Sequence, residues 1–283
     1  MPLTEDEFFR LEDKARDLRL LTMDTSFWAG SAHVGGALSV LDILTILYYK
    51  YMKVDPQRPD WEDRDRFILS KGHAGVALAS VFADKGYFDV KELETFNHNM
   101  SKFGMHLDRN KVKGLDASTG SLGHGLPIAL GMALAAKATG RNYHVYTVLG
   151  DGECDEGSVW EAAMACAHYK AGNLTAFVDR NGLSIDGATE EVMALEPFAD
   201  KWKAFGFQTL EVYGHDMRKL SEAIDSALAV TDKPTMIICR TVKSCGISEW
   251  EGNYKWHYAG INEDTRDKSK ESIRKYHAAR RGK

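Results

Sequence analysis

The most constraining feature of the chain is a buried-strand pattern, Tyr143 to Leu149 (YHVYTVL), that runs directly into Gly150-Asp151-Gly152 with a helical pattern close behind. In open α/β sheets, ligands sit at the carboxyl ends of strands. The two glycines let the backbone approach a bulky anion, and a helix N-terminus adds a field that favours negative charge. Asp151 by itself would repel a phosphate. A divalent cation bridging the two removes the conflict, and magnesium suits one or two side-chain oxygens plus phosphate oxygens. A second ligand should come from a neighbouring strand end. The strand Leu174 to Val178 ends at Asp179-Arg180-Asn181-Gly182, with Asn181 30 positions after Asp151. A strand, a helix and a strand fit in that gap, so both side chains reach one edge of the sheet. Each piece alone reads as an ordinary turn. Their combination at this spacing points to a metal-held diphosphate.

The rest of the chain supplies the frame for such a site. Glu5 to Trp28 carries Leu11, Leu18, Leu21 and Phe27 at roughly helical spacing, and Gly30 ends it. Leu38 to Met52 is a second, more apolar helix, ended near Pro56. Arg66 to Ser70 (RFILS) is a short strand leading into Lys71-Gly72-His73-Ala74-Gly75. Helices are expected at His124 to Ala138, Glu156 to Tyr169, Phe198 to Phe205 and Met217 to Ala229, and strands at Phe207 to Val212 and Thr235 to Thr241. Strands alternating with helices imply parallel βαβ units: an α/β, doubly wound, mostly parallel sheet with helices on both faces. The expected organisation is one domain over 1–260. A charged C-terminal segment follows over 261–283, either a surface helix or a loose tail.

Composition excludes several classes. With 283 residues, 44% of them hydrophobic, the chain can bury a large core. A net charge of -5 offers no basic field for nucleic acid. The longest apolar run, Val40 to Tyr49, contains Asp42 and is too short to span a bilayer, and the acidic N-terminus lacks a secretory pattern. Cys154, Cys166, Cys239 and Cys245 form no CxxC pair, so free thiols and a cytoplasmic location are expected.

Gly150-Asp151-Gly152 through Asn181 resembles the thiamine-diphosphate motif, which opens with GDG and closes with Asn. Four further segments resemble transketolase. Ser31-Ala32-His33-Val34-Gly35 is similar to its SGHPG segment, and Ser70-Lys71-Gly72-His73-Ala74 to its histidine loop. Gly120-Ser121-Leu122-Gly123-His124-Gly125 is similar to its GPLGQG loop, and His106 falls where that family keeps an active-site histidine. The resemblance runs from about Leu11 to about Ala259. It departs from the family at Ala32 and Val34, which replace Gly and Pro, and at His124, which replaces a common Gln.

The resemblance implies thiamine diphosphate held through Mg2+ (or Ca2+ or Mn2+), with Asp151, Asn181 and the carbonyl of Leu183 on the metal. It implies cofactor contacts at Gly120, Leu122, Gly150, Gly152, Glu153, His73 and Asn181. By the same resemblance His73 faces the diphosphate and the reacting centre, while His33 and His106 contact sugar hydroxyls. Imidazole suits this work because it donates, accepts or shuttles a proton near neutral pH. His257, in Lys255-Trp256-His257-Tyr258, is either a fourth active-site histidine or part of a surface aromatic cluster. Glu156 is either an acid at a subunit interface or a first-turn helix acid.

The implied reaction moves a two-carbon ketol unit from a ketose phosphate to an aldose phosphate. Transketolase also uses a pyrimidine-binding domain, and the resemblance is used up near Ala259. The expected partner is therefore a complementary C-terminal transketolase subunit in an α2β2 assembly, with neither nucleic acid nor membrane involved. The small-residue helix after Gly125 and the apolar helix after Leu38 are the surfaces expected near that partner. Rival readings are a deoxyxylulose-phosphate synthase, the alpha chain of a 2-oxo-acid dehydrogenase and a cofactor-carrying regulatory module. The histidine loop argues against the dehydrogenase. A nicotinamide domain is disfavoured because no GxGxxG opens a helix after a strand.

Overall fold

The computed structural model describes residues 2–281. Helix α1 (Glu5–Trp28) starts at a capping box: the Thr4 hydroxyl accepts the Glu7 N–H, and the Glu7 carboxylate accepts the Thr4 N–H. Strand β1 (Ser31–Ala32) is two residues long, and helix α2 (Val34–Ile46) follows, buried at all its positions. α2 begins before the expected Leu38 because its two glycines serve packing rather than flexibility. A Cβ on Gly35 would lie 2.7 Å from the Trp256 carbonyl oxygen. Its end widens into a π-helical turn, Leu47–Tyr51. Then come β2 (Arg66–Leu69), α3 (Gly75–Lys85), α4 (Gly125–Ala138), β3 (Val145–Gly150) and α5 (Gly157–His168). They are followed by β4 (Leu174–Arg180), the single-turn α6 (Thr189–Val192), α7 (Phe198–Ala204), β5 (Gln208–Tyr213), α8 (Met217–Leu228), β6 (Thr235–Arg240), β7 (Ala259–Gly260) and α9 (Glu263–Arg281).

The main sheet has the order β2-β3-β4-β6-β5, and every pairing is parallel. Successive side chains of each inner strand go to opposite faces. Tyr146, Val148, Phe177, Ile237 and Cys239 enter one core with α1, α2, α3 and α8. Val145, Leu149, Ala176, Val178, Met236 and Ile238 enter a second core with α4, α5 and α7. Burial on both faces is why these strands read as continuous apolar runs, and the α/β, doubly wound expectation holds. β1 and β7 form a separate antiparallel ribbon, with Ser31 opposite Gly260 and Ala32 opposite Ala259.

The charged segment after Gly260 is helix α9, docked along α1. Ile273 is fully buried. Lys270 pairs with Asp24 at 2.6 Å, and Arg280 with Glu12 at 2.7 Å. All four cysteines are free and buried, and among the described residues no helix is long and apolar enough to cross a membrane.

A buried ion pair ties α1 to α2. Arg19 Nη2 and Nη1 lie 2.6 and 3.0 Å from the two carboxylate oxygens of Asp42. His215 Nδ1 is 2.6 Å from Asp42, and the Val242 N–H donates to His215 Nε2 at 2.8 Å. Burial works against the Asp42 charge, but Arg19 and His215 hold its pKa well below the carboxylate range. Asp42→Ala is expected to cost about 3 kcal/mol, because it strands a guanidinium in the core. Urea denaturation measures this, and a loss under ~1 kcal/mol would refute the assignment.

Candidate active site

Strands β3 and β4 end side by side, with Gly150 in register with Asp179, so the loops that follow share one sheet edge. Asp151 is 2% exposed. One of its carboxylate oxygens accepts the Gly152 N–H at 3.0 Å and the other the Gly182 N–H at 2.6 Å. Asn181 Oδ1 accepts the Leu183 N–H at 3.2 Å, which folds the loop back toward β3. Burial, with Asp179 nearby, pushes the Asp151 pKa up. Its cationic neighbour, Arg180, stands 3.5 Å away and also pairs with Glu190 and Glu196. The carboxylate is thus only partly neutralised. Beside it lie the Asn181 amide and the Leu183 carbonyl, an all-oxygen set of the kind hard divalent cations take. Gly150 and Gly152 line the same cleft, of about 270 Å³. A Cβ on either would meet no protein atom closer than 3.8 Å. The bare backbone there leaves room for a ligand rather than for a neighbouring side chain. The residues present therefore fit a metal-held diphosphate.

The four candidate histidines converge opposite this edge. The ring of His33 lies 5.2 Å from His73, 6.3 Å from His106 and 5.4 Å from His257, and His73 stacks on His257 at 5.4 Å. His257 lies within this group of rings and lines the cleft. The β1–β7 ribbon explains the meeting, since His33 follows β1 and His257 shortly precedes β7. Burial first, then nearby positive charge, pushes His73 well below the usual imidazole value, His33 to about 4 and His257 to about 3. These three rings are neutral at physiological pH, each with one donor and one acceptor nitrogen. Gly120 and Leu122 line the cleft, and a Cβ on Gly120 would press on His106 at 3.2 Å.

The thiamine-diphosphate-binding domain of transketolase matches residues 12–277. This chain belongs to the transketolase family. It is similar to the 6-deoxy-6-sulfo-D-fructose transketolase subunit SqwG of Clostridium sp. (strain MSTE9), with 41% identity over 90% of this chain and 92% of that subunit. One of the subunits of the apulose-4-phosphate transketolase of Phocaeicola vulgatus is also 41% identical, over 88% of each chain. Transketolase 1 of Escherichia coli is 33% identical, but this chain spans 40% of its length. The transketolase of Campylobacter jejuni superimposes with a TM-score of 0.88 at 33% identity, covering 93% of this chain and 42% of that one. The chain thus spans about nine tenths of the relatives named as subunits and two fifths of the single-chain transketolases.

Two lysines complete the transketolase cleft, and sequence reasoning did not assign them. Lys71 Nζ donates to Asp179 at 2.6 Å and to the Gly36 carbonyl at 3.0 Å. Asp179 also accepts from Ser39 at 2.6 Å and from Thr241. Burial alone would raise the Asp179 pKa, and Lys71 holds it low instead. Lys243 Nζ reaches the Leu183 and Ser184 carbonyls at 2.8 and 3.0 Å and His257 Nδ1 at 2.9 Å. Burial, with Lys71 nearby, lowers Lys243 to about 8. Both lysines are 1% exposed. The signal that could have found them is position: each lies within a few residues of a buried strand's carboxyl end, where side chains turn into the ligand site.

Glu153 lines the cleft, but its carboxylate is engaged by the protein itself. It accepts the Gly123 N–H at 2.9 Å, the Gly150 N–H at 3.0 Å and the Ser70 hydroxyl. It therefore braces the loop of Gly120 to Gly125 against the metal loop. That loop also needs glycine at Gly123, whose φ is +80° and whose Cβ would lie 2.4 Å from the Ser158 hydroxyl. His124, a departure from the family pattern, is exposed and turns Nδ1 to the Leu122 carbonyl at 3.0 Å. Ala32 and Val34, the other departures, are buried beside His33. Glu156 is exposed at the start of α5.

Proposed function

We propose that this chain is the N-terminal, cofactor-binding subunit of a two-chain transketolase, moving a two-carbon ketol unit from a ketose phosphate to an aldose phosphate. The observation that carries the proposal is the convergence of His33, His73 and His257, with His106 6.3 Å from His33, on a cleft whose other wall is the Asp151, Asn181 and Leu183 oxygen set. Magnesium is the favoured ion, with calcium or manganese as substitutes, because three protein oxygens plus phosphate and water suit its octahedral demand. Relatives of this length are named for 6-deoxy-6-sulfo-D-fructose and apulose-4-phosphate, both ketoses with an anionic group. An anionic ketose is accordingly the donor class.

Thiamine diphosphate, when bound, supplies a carbon nucleophile and an electron sink. The chain's own residues do the rest. Asp151, Asn181 and Leu183 would hold the metal, and the backbone of Gly150 and Gly152 makes room for the diphosphate. Lys243 and Lys71 add positive charge on that side. Gly120 and Leu122, which line the cleft, would present backbone to the aminopyrimidine. His73, His33 and His257 line the sugar side, where their neutral rings would orient hydroxyls and pass protons, with His106 beside His33. Four buried free thiols fit a reducing cytoplasm.

Ketol transfer between sugar phosphates, assayed with the complementary subunit present, tests the proposal. Within that assay His73→Ala is expected to lose about 2–4 kcal/mol of transition-state stabilisation, the range for one oriented catalytic donor. Among the described residues nothing hydrogen-bonds the His73 ring, so the melting temperature should hardly move. Unimpaired turnover in the variant, or a collapse of its stability, would each remove His73 from catalysis.

A further inference from the structure

The β1–β7 ribbon carries a second contact on the outer side of His33. Tyr258, half exposed, packs its ring 4.9 Å from the His33 ring. Its hydroxyl lies 2.6 Å from the Ser31 hydroxyl, across the ribbon. His33 needs such support. Among the described residues its Nδ1 is buried without a hydrogen-bond partner, so no protein hydrogen bond at that nitrogen fixes its tautomer or tilt. The imidazoles of His73, His106 and His257 limit the ring on the cleft side. Each of those three is itself assigned to substrate or cofactor, and none provides an outer wall. Tyr258 provides one, and the Ser31 hydrogen bond keeps its ring from swinging away. Neither hydroxyl lines the cleft, so the pair acts through His33 rather than on substrate.

We propose that Tyr258, held by Ser31, is a positioning residue that fixes the His33 imidazole for recognition of the sugar. The proposal rests on the transketolase reading for its kinetic consequence, though not for the clamp itself. A freed imidazole loses orientation, not chemistry. The expected signature is weaker sugar binding at nearly constant turnover. Losing the orientation of one neutral hydrogen bond corresponds to about a 5-fold rise in KM for the sugar. The cofactor affinity should not change, because the pair sits on the side of His33 away from the metal loop.

Two arms test this. In the first, ¹⁵N-histidine NMR is run on the full chain, with His33→Asn used to assign the His33 signals. Wild type should give one set of His33 imidazole shifts. Tyr258→Phe and Ser31→Ala should each move or average them while leaving the other histidines in place. His33 signals identical to wild type in both variants would overturn the clamp, whatever the protein catalyses. In the second arm, ketol transfer is assayed with the complementary subunit. Tyr258→Phe and Ser31→Ala should each raise sugar KM by a similar factor, and the double variant should be no worse than either single one. Equal falls in kcat for both variants, or strictly additive effects, would overturn the positioning role. Absence of ketol transfer in the wild-type pair would instead defeat the transketolase reading, leaving the NMR arm to judge the clamp.

Discussion

Asp151→Ala is expected to reduce thiamine-diphosphate affinity by at least 1000-fold, roughly 4 kcal/mol. The side chain is the one carboxylate in the proposed metal set, and the diphosphate would otherwise face a buried negative edge. The fold should survive the change. Burial raises the Asp151 pKa. A carboxylate whose pKa is higher folded than unfolded costs stability once pH exceeds those values, so removing its charge at pH 7 relieves a penalty. Against that relief stands the loss of the hydrogen bonds to Gly152 and Gly182. The two effects oppose each other, and the melting temperature should change little. Asp151→Asn separates charge from geometry: it retains an acceptor for Gly182 and should still lose most of the affinity. Isothermal calorimetry with magnesium, and again with excess chelator, provides the measurement. Undiminished binding in chelator, or in Asp151→Ala, would refute the metal-held cofactor.

The placement of the two proposed metal loops at one sheet edge was legible in the sequence because its grammar is local. A buried strand, two glycines around an acid and a helix start specify the first loop, and the parallel register of β3 and β4 fixes the second relative to it. Other parts depended on pairings with no local signature. The β1–β7 ribbon has two residues per strand, too few for any alternation to register, yet it joins Ser31 to Tyr258 across 227 positions. His33 was named by family resemblance and His257 was left between two readings; the ribbon brings the two together. Lys71 and Lys243 look like surface lysines in a sequence. Their partners, Asp179 and the Leu183 carbonyl, lie 108 and 60 positions away. The glycines of α2 argued against a helix by propensity, and close packing against Trp256 overrode them. The charges of α9 hid a docked helix, because its anchoring is by ion pairs to α1 rather than by a wide apolar stripe. The expectation that α2 lies near a partner surface fails for a simpler reason: every residue of α2 is buried inside this chain.

This chain alone, supplied with thiamine diphosphate and magnesium, is expected to show no ketol transfer, and full activity is expected once the complementary subunit is added. The described residues form one main sheet, with the proposed cofactor cleft open along its carboxyl edge. They contain no second α/β domain to receive the aminopyrimidine. Relatives of the same length are named as transketolase subunits, whereas this chain spans 40% of Escherichia coli transketolase 1. A cofactor seated in an open half-site would leave its aromatic rings in water, so a covering partner should raise cofactor affinity as well as permit turnover. With α2 buried, we propose the cleft rim and the outer face of α4 and α5 as the partner surface. Ile185 on the rim and Met164 and Tyr169 near the end of α5 are 55–60% exposed. Gly131 and Ala135 on α4 are exposed and small enough for close helix approach. An obligate interface there should bury on the order of 2,000 Å² or more and be rather apolar at its centre. Met164→Glu, placed on that face, should leave the isolated chain's melting temperature unchanged and block assembly. The mass from light scattering should rise to that of two copies of each subunit in wild type and not in the variant. Activity from this chain alone equal to that of the mixture would refute the two-chain enzyme, and Met164→Glu assembling normally would move the interface elsewhere.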